Sequence, residues 1–127
     1  MKKNMLKIWF KLVDKIGTTE ENLKAAAAGE HEEWTSMYPE FAKVAREEGF
    51  TRIANLFEMV AKIEQEHDAR YNLLLANIQE DKVFKRNEKM IWMCSNCGHV
   101  YEGTEAPEIC PVCAHPKAFF EIKANNY

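Results

Sequence analysis

Ile63-Glu64-Gln65-Glu66-His67 sets two strongly polar side chains into a run that otherwise reads as the buried stripe of a long helix. At about 100° per residue, Ile53, Leu56, Phe57, Val60, Tyr71, Leu74, Leu75 and Ile78 gather on one side of a helix predicted from Thr51 to about Gln79. Glu64 and His67 fall in the middle of that side, and Glu66 points away. The preceding segment repeats the anomaly. Leu23, Trp34, Met37, Phe41 and Val44 define its apolar stripe, Glu30 and Glu33 lie inside it, and Glu32 lies outside. Desolvation and like-charge repulsion both oppose burying three carboxylates and an imidazole together. A single inward Glu usually pairs with Lys or Arg, and a single inward His is usually a satisfied core residue. Neither stripe supplies a basic partner, so the coincidence of four such residues points to a bound cation.

Local signals delimit these helices. Gly17 stops what precedes it, and Thr18 with Glu21 has capping-box spacing, which starts a helix that runs through Ala25–Ala28 to about Glu48. Gly49 is placed to end it in a left-handed conformation. Pro39 removes one backbone hydrogen bond from the interior and predicts a bend near Thr35. Thr51 is a candidate N-cap for the second helix. Two long helices joined by a short turn make an antiparallel hairpin.

The spacing names a metal class. A Glu-x-x-His pair (Glu64, His67) facing a Glu on another helix (Glu30) is half the ligand set with which four-helix bundles hold two iron or manganese ions. Two helices cannot enclose a site and leave their apolar stripe open to water. The expectation is therefore a homodimer, or a higher even oligomer, in which each chain gives Glu30, Glu33, Glu64 and His67 and the bundle forms only on pairing.

The composition agrees with a small soluble module. The chain has 127 residues, 46% of them hydrophobic and 29% charged, which excludes a large multidomain enzyme and a disordered tail. A net charge of -3 offers no basic excess for nucleic acid. No stretch approaches the roughly 20 apolar residues of a membrane span. Residues 1–16 form an amphipathic leader in which Lys2, Lys3, Lys7, Lys11 and Lys15 oppose Leu6, Trp9, Phe10 and Val13. Lys7 and Lys11 interrupt any signal-peptide core. The leader reads as a helix packed on the body or on a partner, with membrane-surface binding as the alternative.

Beyond a linker that closes the 17–87 segment, residues 88–127 hold all four cysteines as Cys94-x-x-Cys97 and Cys110-x-x-Cys113. These are two knuckles suited to a tetrahedral ion, and in a reducing cytoplasm they read as a metal site before disulfides. Iron and zinc both accept four sulfurs, so the spacing leaves an electron carrier and a structural zinc ribbon open. Trp92, Tyr101, Phe119 and Phe120 are the candidate core of this module, with His99 and His115 as surface or packing residues.

From Gly17 to Glu121 the chain resembles the rubrerythrins. The resemblance rests on Gly29-Glu30-His31-Glu32-Glu33, Met37-Tyr38-Pro39-Glu40-Phe41 and Glu64-Gln65-Glu66-His67. In the tail it rests on Cys94-Ser95-Asn96-Cys97-Gly98, Glu102-Gly103 and Ala106-Pro107-Glu108-Ile109-Cys110-Pro111-Val112-Cys113-Ala114-His115-Pro116. It implies a mainly α fold: a ferritin-like four-helix bundle, here completed by homodimerisation of the 17–87 hairpin, plus a small rubredoxin-like or zinc-ribbon-like β domain at 88–127. Family members usually carry four bundle helices in one chain, and this sequence resembles only the second pair and the tail. By the same resemblance Glu30 and Glu64 are main iron ligands and His67 a terminal one. Glu33 joins an iron in the oxidised state, and the Tyr38 hydroxyl holds a ligating carboxylate unless Tyr38 is a core aromatic. The implied cofactors are two Fe ions per bundle, shared by two chains, and one Fe per chain at Cys94, Cys97, Cys110 and Cys113, with Zn as the other candidate.

The activity so implied is a cytoplasmic peroxidase that reduces hydrogen peroxide to water. Its electrons come through the four-cysteine iron from an external NAD(P)H-linked donor, since no nicotinamide-binding glycine motif is present. The rivals are a ferroxidase or oxygen-reducing di-iron protein, and a zinc-ribbon dimerisation module without catalysis.

Overall fold

The computed structural model describes residues 2–13 and 16–126, with the side chains of residues 2–4 left aside. Lys15 and the side chains of Lys2 and Lys3, which the sequence assigns to the leader's basic face, therefore lie outside the described residues. The chain divides into two compact units, Met1–Ala76 and Asn77–Tyr127. None of the described helices is long and apolar enough to cross a membrane.

The first unit is helical: α1 (Lys2–Leu12), α2 (Thr19–Glu32), a π-helical turn (Glu33–Met37), α3 (Tyr38–Glu47) and α4 (Thr51–Gln79), whose last residues enter the second unit. The capping box forms as its spacing predicts: the Glu21 backbone N–H donates to Thr18 Oγ1 at 3.2 Å, and the Thr18 N–H donates to Glu21 Oε2 at 2.7 Å. The Thr18 backbone N–H, and after it the Thr18 hydroxyl, favour the charged carboxylate and hold Glu21 below its usual range. The bend forecast from Pro39 takes the form of the π-helical turn. Proline leaves one carbonyl unclaimed, and the ladder shifts to a wider register in which the Tyr38 N–H donates to the Glu33 carbonyl.

Gly49, at φ +86°, ends α3 in a Schellman turn, with the Phe50 N–H on the Ala45 carbonyl at 2.7 Å and the Gly49 N–H on the Arg46 carbonyl at 3.1 Å. Thr51 is not the cap that the sequence suggests. It is the first helical residue, and the preceding Phe50 carbonyl accepts the first helical bond, from the Ala54 N–H. The described side chains packed most deeply in this unit are small: Ala27, Ala42, Ala45 and Ala54. The larger apolar residues of the expected stripes stay open in the single chain, with Phe41, Val44, Ile53, Leu56 and Leu74 all exposed.

The second unit is a three-stranded antiparallel sheet of order β2-β1-β3, with β1 at Lys85–Cys94, β2 at Val100–Glu105 and β3 at Phe120–Ile122 after a 3-10 turn at Lys117–Phe119. It starts earlier than the sequence boundary at residue 88. Its first residues are the end of α4, and Phe84 packs on its core, with the Phe84 carbonyl accepting from the Ala106 N–H. The core is Trp92, Cys94, Ala106, Cys110 and Phe120. Two of the aromatics expected there lie outside it. Phe119 and Phe120 are consecutive, so only one can point inward, and the Phe119 ring packs edge-on to His115 instead. Tyr101 is on the edge strand and lays its ring over Gly103, where any Cβ would meet it at 2.6 Å.

Candidate metal centres

Glu64 and His67, one turn apart on α4, lie on the same helix face. The His67 ring nitrogen Nδ1 is 2.6 Å from Glu64 Oε2 and 3.6 Å from Glu30 Oε2 on α2. Each of the three offers a ligand atom, and these atoms all lie within 4.8 Å of one another. Both carboxylates are largely buried, with side-chain exposures of 20% for Glu30 and 14% for Glu64. Desolvation raises the pKa of Glu30. A hydrogen bond and the charge of Glu64 raise it further, and Glu33 adds to the rise while His67 opposes it. Among the described residues neither carboxylate pairs with Lys or Arg. Two crowded carboxylates and one imidazole without a fixed counter-charge form a donor set that a divalent cation relieves, and oxygen with imidazole nitrogen suits iron or manganese.

Glu33 opens the π-helical turn and is half-buried. It acts on Glu30 through its charge but does not join the tight trio. The Tyr38 ring lies 6.2 Å from that of Phe41 and 6.1 Å from that of Phe57, and among the described residues its hydroxyl bonds no carboxylate.

A polar cluster escapes the sequence reading. Asp68, the buried charged residue of the hairpin, accepts from Trp34 Nε1 at 2.8 Å and from Asn72 Nδ2 at 2.6 Å, and it lies 3.0 Å from His31 Nδ1. The Trp34 bond, then the His31 contact, hold its carboxyl below the usual range against the cost of burial. One signal was available: a tryptophan on an apolar stripe still needs an acceptor for its ring N–H.

In the second unit the four cysteines converge, with sulfur–sulfur distances of 3.7 Å for Cys94–Cys113 and for Cys97–Cys110. A regular tetrahedron of metal–sulfur bonds of about 2.3 Å has edges of about 3.8 Å, so the spacing fits one tetrahedral ion. The knuckles share one backbone pattern. Gly98 N–H donates to the Cys94 carbonyl and Ala114 N–H to the Cys110 carbonyl, while Cys94 N–H reaches His99 O and Cys110 N–H reaches His115 O. The His115 backbone N–H draws the Cys113 thiol down to about 6. The His99 backbone N–H favours the Cys97 thiolate, but desolvation and the three neighbouring thiols outweigh it and push Cys97 up to about 12. Such a group does not shed its protons together unless a cation takes their place. His99 and His115 stay outside the ligand set, and His115 Nδ1 lies 3.1 Å from the Cys113 carbonyl.

Comparison with known proteins covers both units. A family profile described as Rubrerythrin matches residues 5–75, and one described as Rubrerythrin, rubredoxin-like domain matches residues 92–121. The chain is 53% identical to Rubrerythrin-1 of Clostridium acetobutylicum over 112 residues, 88% of this chain and 57% of that protein. It is 54% identical to Rubrerythrin of Porphyromonas gingivalis over 112 residues, 88% of this chain and 56% of the relative. With Rubrerythrin of Nitratidesulfovibrio vulgaris the identity is 52% over the same length, 88% of this chain and 59% of the relative. The chain thus spans little more than half the length of the relatives it matches.

Proposed function

Since the chain belongs to the rubrerythrin family, di-iron oxidoreductases that carry a rubredoxin-like domain, we propose that two copies pair into a cytoplasmic di-iron peroxidase fed by the four-cysteine iron. The observation that carries this reading is the Glu30, Glu64 and His67 trio: ligand atoms within 4.8 Å, no Lys or Arg counter-charge, and an apolar face left open around it. A second copy turned about a twofold axis brings the same trio to the opposite side, which supplies the missing half of a two-metal ligand set.

Iron bound there supplies one electron per ion, so a pair matches the two electrons that hydrogen peroxide takes, with two protons, as its O–O bond breaks to give two waters. The residues set the conditions. Glu30 and Glu64 would hold the ions with their charge and His67 with its ring nitrogen, and Glu33, one helical turn from Glu30, would be the carboxylate able to join or leave. Tyr38 lines the same face among Phe41 and Phe57. In the second unit Cys94, Cys97, Cys110 and Cys113 would hold one iron, which would supply one-electron transfer from an NAD(P)H-linked donor. The four free cysteines fit a reducing compartment.

Stopped-flow mixing of the fully reduced protein with hydrogen peroxide, and separately with dioxygen, tests the activity. Ferrous-site oxidation is expected to be faster with peroxide. A much faster dioxygen reaction would make the protein a ferroxidase or oxygen scavenger, and a colourless preparation holding zinc alone would leave only a dimerising zinc module.

A further inference from the structure

The buried carboxylate of Asp68 has no part in the ligand trio, yet Asp68 and both of its contacts on the other arm of the hairpin border a candidate ligand in the chain. His31 follows Glu30, Trp34 follows Glu33, and Asp68 itself follows His67. Consecutive helical residues point about 100° apart, so these three form a stripe beside the ligand stripe. Glu30 and Glu33 fall on the apolar stripe by their spacing, and the contacts of Asp68 beside them tie the hairpin's two arms together. Asn72, one turn further along α4, donates to Asp68 Oδ1 at 2.6 Å, which leaves Oδ2 for Trp34 at 2.8 Å and His31 at 3.0 Å. The Asp68 side chain is only 12% exposed, and among the described side chains it alone takes polar contacts from α2 and the π-helical turn together.

We propose that Asp68 is a positioning residue, whose contacts with Trp34 and His31 fix the rotation of α2 and the π-helical turn about α4 so that Glu30 faces Glu64 and His67. The clamp straddles the point where a regular helix gives way to the wider π register. There the azimuth of Glu33 relative to Glu30 is set least by the backbone ladder and most by a tertiary tie. A carboxylate suits this task because it accepts from several directions at once, and its bonds to ring N–H donors have defined angles. A metal ion held by three or four side chains from different helices tolerates little error in their aim, and the groups that orient such ligands commonly govern affinity by about 10–100-fold.

The inference rests on the metal reading of the trio, and the experiment separates the two. Full-length protein with iron in its four-cysteine sites and its bundle emptied is titrated with Mn(II), which favours oxygen and imidazole donors over thiolates. Binding and the line shape of the bound ion are followed by electron paramagnetic resonance. Wild type is expected to bind Mn(II). Asp68→Asn and Trp34→Phe are each expected to weaken binding by about tenfold or more and to alter the bound spectrum, with unchanged solution mass and helical circular dichroism. The double variant is expected to lose little beyond Asp68→Asn alone, since both changes cut one tie.

A purely structural role would lower the melting temperature and leave the bound spectrum of the folded protein as it was. Folded variants with wild-type affinity and spectrum would overturn the clamp alone. Should Asp68→Asn not fold, Trp34→Phe, which keeps the ring and deletes only the donor, decides by the same two readouts. Wild type without Mn(II) binding would sink the metal reading and the clamp with it.

Discussion

Glu30 shows what crowding two carboxylates in a half-buried site costs the folded chain. Desolvation, and the Glu64 carboxyl bound to it, raise its pKa above the usual 4.5, so the folded metal-free chain holds this proton more tightly than the unfolded chain does. Folding stability from this group is therefore greatest below about pH 4.5 and falls as the pH climbs through the raised value. Glu30→Gln removes the penalty. The metal-free variant is expected to melt at a higher temperature than wild type at about pH 7, with the gap closing near pH 4. Thermal melts at the two pH values check this, and a variant less stable at neutral pH would contradict it. The same substitution is expected to weaken bundle metal binding, because a neutral amide replaces a charged ligand. At this scale the cluster of Glu30, Glu64 and His67 was legible because polarity broke a 3.6-residue period. Asp68 was not, because its partners lie on the other helix arm, 34 and 37 positions away in sequence.

The elements divide between what local chemistry sets and what packing sets. The capping box, the Gly49 stop and the disturbance before Pro39 follow from residues a few positions apart, and each was readable in the chain. That the disturbance becomes a π-helical turn depends on which carbonyl the Tyr38 N–H finds, and the sequence does not specify this choice. Nor does periodicity reveal that small side chains fill the hairpin's own interior while the large ones stay exposed.

Ala54 is fully buried on α4, without room for a larger group. Ala54→Leu is expected to destabilise the hairpin by about 1–3 kcal/mol through overpacking, as read from denaturant midpoints, and a neutral result would mean that the arms are not in close contact there.

The two cysteine knuckles offer a matched comparison. Gly98 adopts φ +79° in the first and Ala114 φ +60° in the second. A left-handed conformation costs a residue with a Cβ roughly 1 kcal/mol that glycine avoids. Ala114→Gly is expected to stabilise the metal-loaded tail by about 0.5–1 kcal/mol, seen as a higher guanidinium midpoint for loss of its chromophore. A lower midpoint would refute that account of the turn.

At the scale of the whole molecule, the described single chain leaves too much apolar surface in water to be its working form. In α1, Trp9 is 62% and Leu12 71% exposed, and along the hairpin Phe41, Ile53, Leu56, Met59, Ile63 and Leu74 are open as well. Phe41, Ile53, Leu56 and Leu74 belong to the stripes that carry the trio, so in the proposed pairing one contact covers that surface and brings a second trio to the first. The proposal of a partner comes from two helices bearing half of a known ligand pattern, whereas its arrangement depends on contacts between chains.

The central claim, a di-iron site built by two copies, meets its most direct test in the solution mass of freshly purified, iron-grown protein, measured together with its iron content for wild type and Glu64→Ala. The account expects a wild-type dimer with about two bundle irons plus one tail iron per chain, and a variant that keeps the red tail iron but loses the bundle pair. A monomer, or a dimer whose iron content is the same with and without Glu64, would contradict it.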